Sequence, residues 1–125
     1  MTEHQKAIQD KFRRITESSR MIAAYEAEIR AEEDRAERAD SVSCRIHKKR
    51  ANELRKKMKS YQKDVELAKS MIDSIPDDNL GKRILSMRYL QLMRMEDIAV
   101  VLSYERTHLY RVYYKALESV QQKQQ

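Results

Sequence analysis

Apolar residues recur at helical spacing through the first 75 positions. In the first half the step is seven residues, with Phe12 and Tyr25 beside the series Ile8, Ile15, Ile22, Ile29 and Ala36. In the second half the steps alternate between four and three, as at the a and d positions of a coiled coil, through Leu54, Met58, Tyr61, Val65, Ala68, Ile72 and Ile75. Neither Gly nor Pro interrupts residues 2–75. The pattern predicts two long helices, each with one apolar seam.

The segment "ADSVSC", residues 39–44, is the predicted point of reversal, because Asp and Ser favour helix caps. Reversal there forms an antiparallel hairpin that pairs Ile29 with Leu54, Ile22 with Tyr61 and Ile15 with Ala68. One unbroken helix that dimerises is the alternative interpretation, since the segment contains no helix breaker.

Charge favours the hairpin. The first arm ends in acidic residues, namely Glu26, Glu28, Glu32, Glu33, Asp34, Glu37 and Asp40. The second arm begins with basic residues, namely Arg45, Lys48, Lys49, Arg50, Arg55, Lys56, Lys57, Lys59 and Lys63. We interpret this basic run first as neutralising the acidic arm and forming a solvated face, and only second as a nucleic-acid patch. Exposed ion pairs contribute only ~0–1 kcal/mol each, so the seam supplies the stability.

Composition narrows the class of protein. One Gly and one Pro in 125 residues predict an all-α fold. The formal charge of +6 favours an anionic partner.

No apolar run approaches the ~20 residues of a membrane span and no signal peptide is recognised, so we expect a cytoplasmic protein. The single Cys44 and nearby His47 make a poor zinc site and are interpreted as seam residues; we expect no metal, no cofactor and no catalytic residue.

Pro76 marks the predicted domain boundary, with a helical hairpin over residues 1–75 and a helix-turn-helix domain over 76–125. Asp77, Asp78 or Asn79 can cap the next helix. That helix has an apolar stripe formed by Leu80, Ile84, Leu85, Tyr89 and Leu92, and the segment "MRMED" begins another short helix.

The last two predicted helices have the pattern of a helix-turn-helix. Ala99 provides the small residue where the helices approach each other, between Ile98 and Leu102. Tyr104 follows the turn. At 100° per residue, one side of the second helix is predicted to be buried, namely Leu109, Val112, Tyr113, Ala116 and Val120. The opposite side presents Thr107, Arg111, Tyr114 and Lys115.

The segment "LSYERTHLYRVYYKALESV" resembles the recognition segment of bacterial sigma factor region 4, including its Lys-Ala-Leu ending at residues 115–117. With the helical N-terminal arms, the chain resembles phage late-operon transcriptional activators of the ArpU and RinA type. Two positions differ from the family pattern. Ser103 replaces the usual turn glycine and must take a left-handed conformation or use another turn. Glu105 replaces the usual capping Ser or Thr.

The resemblance assigns base reading in DNA to Arg106, Thr107, Tyr110 and Arg111, of which the helical projection independently selects Thr107 and Arg111. Arginine can donate two hydrogen bonds to guanine, and threonine can contact a thymine methyl. The candidate phosphate contacts are Lys82, Arg83, Arg88, His108, Tyr114 and Lys115. For Lys82, Arg83 and Lys123 a solvated surface cation is an equally good interpretation, and His108 is more simply an exposed spectator.

These patterns predict a sequence-specific DNA-binding transcriptional regulator, phage or prophage encoded. Because one recognition helix contacts few base pairs, we expect a homodimer or an RNA polymerase partner besides double-stranded DNA, and no small-molecule substrate. A protein-interaction adaptor that contacts RNA polymerase and a small terminase-like packaging subunit are the alternatives.

Overall fold

A computed structural model describes residues 1–76 and 79–121 of the chain. This part contains five α-helices and no strand: α1 Glu3–Arg38, α2 Ser41–Asp73, α3 Asn79–Tyr89, α4 Met95–Leu102 and α5 Arg106–Ser119. The all-α prediction is confirmed. None of these helices is both long and apolar enough to cross a bilayer. Asp77, Asp78 and Lys123, which the sequence analysis considered as caps or a surface cation, lie outside the described residues.

The chain divides into two compact units. Residues 17–64 form one, here called the hairpin unit, and residues 1–16 with 65–125 form the other, here called the core unit. Pro76 lies between α2 and α3, as expected, but the ends of both long helices belong to the same compact unit as the three short helices.

The reversal between α1 and α2 takes only two residues, Ala39 and Asp40. The Ser43 backbone N–H donates to Asp40 Oδ1 at 2.8 Å, so Asp40 caps α2. This hydrogen bond holds the pKa of the Asp40 carboxyl below its ordinary value of 3.8. The predicted reversal is confirmed and excludes the single unbroken helix within this chain. Residues 41–44 already belong to α2, so the turn is shorter than the segment "ADSVSC".

The seam of the hairpin unit is thin. Its buried apolar residues are Ile29, Ala36, Ala51 and Met58, and the half-buried ones packed in the same cluster are Ile22, Tyr25 and Leu54. Ile29 and Leu54 belong to the same cluster, in agreement with their predicted pairing. The Tyr61 ring contacts Tyr25, with 5.8 Å between the ring centroids. The two helices are therefore antiparallel, with little apolar material between them.

Three polar contacts among the described residues join α1 to α2 in the hairpin unit besides the seam, namely Arg55 to Glu33, His47 to Glu32 and Ser18 to Asp64. Arg55 forms an ion pair with Glu33. His47 Nδ1 lies 2.6 Å from the buried Glu32 carboxylate, which also accepts from Arg35 at 2.7 Å. The hydrogen bond from His47 lowers the pKa of Glu32 below its ordinary value. The expected acid–base pairing is confirmed for Arg55, whereas the other eight cations of the run from Arg45 to Lys63 form no ion pair with any described residue.

The core unit buries far more apolar surface. Its buried residues come from all five helices and adjoining segments and are Ile8, Phe12, Ile15, Ala68, Met71, Ile72, Ile75, Ile84, Leu85, Met87, Tyr89, Met95, Ile98, Leu109, Tyr113, Ala116, Leu117 and Val120. Phe12 stacks on Tyr89 with 4.6 Å between ring centroids. The Tyr89 hydroxyl is hydrogen-bonded to that of Tyr113, and burial raises the pKa of Tyr89 well above its ordinary range. Helix α3 packs on both α4 and α5.

The prediction that Leu92 belongs to the apolar stripe of α3 is wrong. Helix α3 ends at Tyr89, and Leu92 has a left-handed backbone with φ 57° and a side chain that is 39% exposed. Arg88 Nη1 donates to the Met93 carbonyl oxygen at 3.0 Å and secures this loop. The apolar spacing in the sequence continues past the end of α3. Spacing alone does not show where the backbone leaves the helical conformation, so the prediction extended the stripe too far.

Candidate nucleic-acid interface

The turn between α4 and α5 is closed by Ser103 in the left-handed conformation, with φ 56° and ψ 42°. The Tyr104 N–H donates to the Ala99 carbonyl at 3.0 Å, and the Ser103 N–H donates to that of Val100 at 3.2 Å. These two hydrogen bonds form a Schellman motif, the usual helix ending with glycine at the left-handed position. Of the two conformations that the sequence left open at Ser103, the structure has the left-handed one.

The packing of α4 and α5 follows the predicted faces closely. Ile98 is fully buried, and Ala99, Leu102 and Tyr104 are half-buried against the same core. On α5 the buried residues are Leu109, Tyr113, Ala116 and Leu117, and Val120, directly after the helix, is buried as well. Val112 is half-buried rather than buried, and Leu117 takes a buried place that the helical projection did not assign to it.

The opposite side of α5 is exposed. Thr107, Arg111 and Lys115 follow one another at steps of four residues, so they form a column on one side of the helix. None of their side chains makes a hydrogen bond or an ion pair with a described residue. The column extends over ~12 Å of helix. Its three side chains are available to a ligand.

Arg106 differs from Arg111 because it already has a partner. Its Nη2 donates to Glu96 Oε1 at 3.3 Å, with both side chains more than half exposed. The Glu105 side chain makes no capping hydrogen bond, although its backbone occupies the cap position of α5. The first turn of α5 is therefore linked to α4 by a surface ion pair and is not capped by a side chain.

Tyr110 and Tyr114 of α5 belong to a cluster of tyrosine rings, whereas His108 lies apart from it. Tyr110 is half-buried, and its ring centroid lies 6.2 Å from that of Tyr113 and 5.9 Å from that of Tyr114. Tyr114 is 37% exposed. The exposed His108 packs edge-on against Tyr104 at 4.7 Å. At 100° per residue Tyr110 and Tyr114 lie on one side of the column and His108 on the other, so these rings border the exposed column.

The three candidate cations of α3 have different surroundings. Lys82 and Arg83 line an open groove of about 510 Å³, together with the acidic Asp73 and the polar residues Asn79, Ser86 and Gln91. Arg88 is half-buried, with its guanidinium 5.8 Å from the Tyr89 ring centroid and one N–H donated to a backbone carbonyl. Lys82 and Arg83 thus share their groove with a carboxylate, which disfavours an anion there, whereas Arg88 already has contacts that hold the α3–α4 loop.

The first residues of the chain hold the second half of α5, a contribution that the sequence analysis did not foresee. Thr2 Oγ1 donates to Glu118 at 2.7 Å, and His4 Nε2 contacts the Val120 carbonyl at 2.8 Å. Gln5 Nε2 donates to the Tyr114 carbonyl at 2.9 Å, and Gln9 Nε2 donates to the Tyr113 hydroxyl at 3.0 Å. Apolar periodicity contains no information on such polar contacts between residues more than 100 positions apart.

Comparison of the chain with protein-family models, with curated proteins and with solved structures gave no match. The resemblance of the α4–α5 segment to sigma factor region 4 therefore stays a prediction from its residues, and the chain is assigned to no family.

Proposed function

We propose that the protein is a sequence-specific DNA-binding transcriptional regulator in which α5 lies in the major groove. The observation that carries the proposal is the exposed column of Thr107, Arg111 and Lys115, whose side chains have no partner among the described residues. The major groove is ≈ 12 Å wide and admits one α-helix. A helix anchored on one side and polar on the other has the form that direct readout requires.

Within the column the residue types suit different parts of a duplex. Arg111 can donate two hydrogen bonds to guanine O6 and N7, and Thr107 can contact a thymine methyl or a base edge. Lys115, near the C-terminal end of the column, suits a phosphate. Arg106 and Tyr110 lie beside the column, and Arg106 must release Glu96 before it can contact a base.

The test compares two arginine substitutions by fluorescence anisotropy at one fixed salt concentration. A duplex selected from random DNA for tight binding is measured against a scrambled duplex. Arg111→Ala should reduce the preference for the selected duplex by ~1–3 kcal/mol, the value of one bidentate guanine contact. Arg14→Ala removes the same charge from an exposed site on α1 and should leave the preference unchanged. An unchanged preference in Arg111→Ala would contradict the proposed role of α5.

One observation favours the second candidate, an adaptor that contacts a protein such as RNA polymerase. Val100 and Val101 on α4 are 78% and 58% exposed, and such neighbouring apolar side chains suit a protein partner. Val100→Ser with Val101→Ser would weaken binding to polymerase but not to DNA under this candidate. Measurement of both affinities on the same variant separates the adaptor from the DNA-binding regulator.

A further inference from the structure

One face of α2 in the hairpin unit is almost wholly cationic. Residues at steps of four and three share this face, and they are Arg45, Lys49, Asn52, Lys56, Lys59 and Lys63. At 100° per residue they lie within about 80° of one another, on the side opposite the seam residues Ala51 and Met58. All six are exposed. We call this set the basic stripe; it is ~27 Å long.

The cations of the basic stripe are not neutralised by ion pairs with other described residues. None of its five cations forms an ion pair there, and Arg55, which pairs with Glu33, lies off the stripe. The two acidic residues of α2 within the hairpin unit, Glu53 and Asp64, also lie off it. Asp64 instead accepts from Ser18 of α1 at 2.6 Å. Like charges at helical spacing destabilise a helix by a few tenths of a kcal/mol per pair, so the stripe contributes nothing favourable to folding.

The form of the stripe indicates an extended anion. Five cations over ~27 Å match a ligand with regularly repeated charge, and a nucleic-acid strand carries a phosphate every ≈ 3.4 Å. Four of the five cations are lysines, whose ammonium groups act as point charges and suit phosphate oxygens.

A membrane surface is the less suitable ligand. Helices that bind lipid in the interface insert their apolar side between the headgroups. The seam side of α2 is buried in the hairpin, where Ala51 is 1% and Met58 is 9% exposed. The exposed apolar residues of α2 in the hairpin unit, Val42 and Ile46, lie in its first two turns and do not extend along the stripe.

We propose that the basic stripe binds the phosphate backbone of double-stranded DNA without regard to sequence. This site belongs to the hairpin unit and is argued from the charge of α2, whereas the choice of DNA as the nucleic acid rests on the proposed function. It supplies affinity by counterion release, whereas base reading supplies specificity.

The experiment measures binding of the full chain to random-sequence duplex DNA over a series of salt concentrations. Lys49→Gln with Lys56→Gln removes two stripe cations. Arg50→Gln with Lys57→Gln is the matched control, because each of these exposed residues follows a stripe residue and lies 100° round the same helix. The stripe variant should lower the slope of log K against log salt by about 1.8 and weaken binding on the order of tenfold at ~0.1 M salt. The control should change the slope by less than half as much.

Further arms separate the possible explanations. Lys49→Arg with Lys56→Arg keeps the charges and should keep the wild-type slope, which excludes a loss of fold as the cause. Equal slope changes in the stripe variant and its control, or no change in either, would overturn the proposal. The proposal would also be overturned if the stripe variant lost binding to vesicles of anionic phospholipid but bound duplex DNA as the wild type does. The stripe variant should keep the ratio of affinities for selected and scrambled DNA, so a failure here is distinguishable from a failure of the α5 proposal.

Discussion

The two exposed polar faces described above differ in what lies behind them. Helix α5 is anchored by four buried side chains in a core to which every helix of the core unit contributes, and its second half is also hydrogen-bonded to the start of α1. Helix α2 within the hairpin unit is backed by a seam whose described buried apolar residues are Ile29, Met58 and two small alanines, Ala36 and Ala51. A helix that reads bases must hold its side chains in one orientation, because direct readout depends on hydrogen-bond geometry. A helix that binds phosphates by charge has no such requirement, so a thin seam suffices.

The largest predicted effect comes from removing the aromatic stack that supports α5 in the core unit. Phe12 is fully buried and stacked on Tyr89, so Phe12→Ala should reduce the free energy of unfolding by ~3–5 kcal/mol. Hydrogen exchange followed by mass spectrometry should show the loss of protection in α5. Val42→Ala, at a site 68% exposed, should stay within ~0.5 kcal/mol of the wild type. Unchanged protection of α5 in Phe12→Ala would show that the stack does not support this helix.

An intermediate effect is expected at the turn that sets the direction of α5. Ser103 has the left-handed conformation, which costs roughly 1–2 kcal/mol for a residue with a Cβ atom. Ser103→Gly should therefore stabilise the core unit by up to about 1 kcal/mol, since glycine also loses more chain entropy on folding. Urea unfolding measures the change. Ser103→Ala retains the Cβ atom and should give no gain; equal stability of the two variants would argue against strain at this position.

The smallest predicted effect concerns the hairpin unit and its dependence on pH. The pKa of Glu32 is lowered in the folded chain, chiefly by the hydrogen bond from His47. Its contribution to stability is therefore fully present above the ordinary value of 4.5 and is lost as the pH falls through the folded-state pKa. Glu32→Gln should make the loss of stability below pH 4.5 less steep. The matched control is Glu37→Gln, an exposed site without an ion pair among the described residues, and its profile should follow the wild type. Acid titrations followed by circular dichroism provide the comparison, and identical profiles for Glu32→Gln and the wild type would contradict the prediction.

The fold was predictable where it depends on local periodicity and capping. The seven-residue spacing of Ile8, Ile15, Ile22 and Ile29 predicted α1, and the helix-capping preference of Asp40 predicted the reversal. The face of α5 was predictable for the same reason, because burial of one side of a helix leaves a period of 3.6 in the sequence.

The parts that sequence reasoning missed depend on contacts between distant polar residues. Glu96 pairs with Arg106 across the turn between α4 and α5, a contact that the local pattern of neither helix indicates. His4 and Gln5 hold α5 through its backbone carbonyls, which any residue type provides, so no pattern in α5 reveals them. The basic run of α2 was interpreted mainly as neutralising α1, because sequence gives the charge of two arms but not which side chains face each other.

Selection of bound duplexes from a random DNA library, carried out with the full chain and with Arg111→Ala, tests most directly whether α5 reads bases. If α5 reads bases, we expect one enriched motif for the wild-type chain and loss of a conserved guanine position in the motif of the variant. Recovery of the same motif by both proteins, or of no motif by the wild-type chain, would contradict the assignment of base reading to the exposed column of α5.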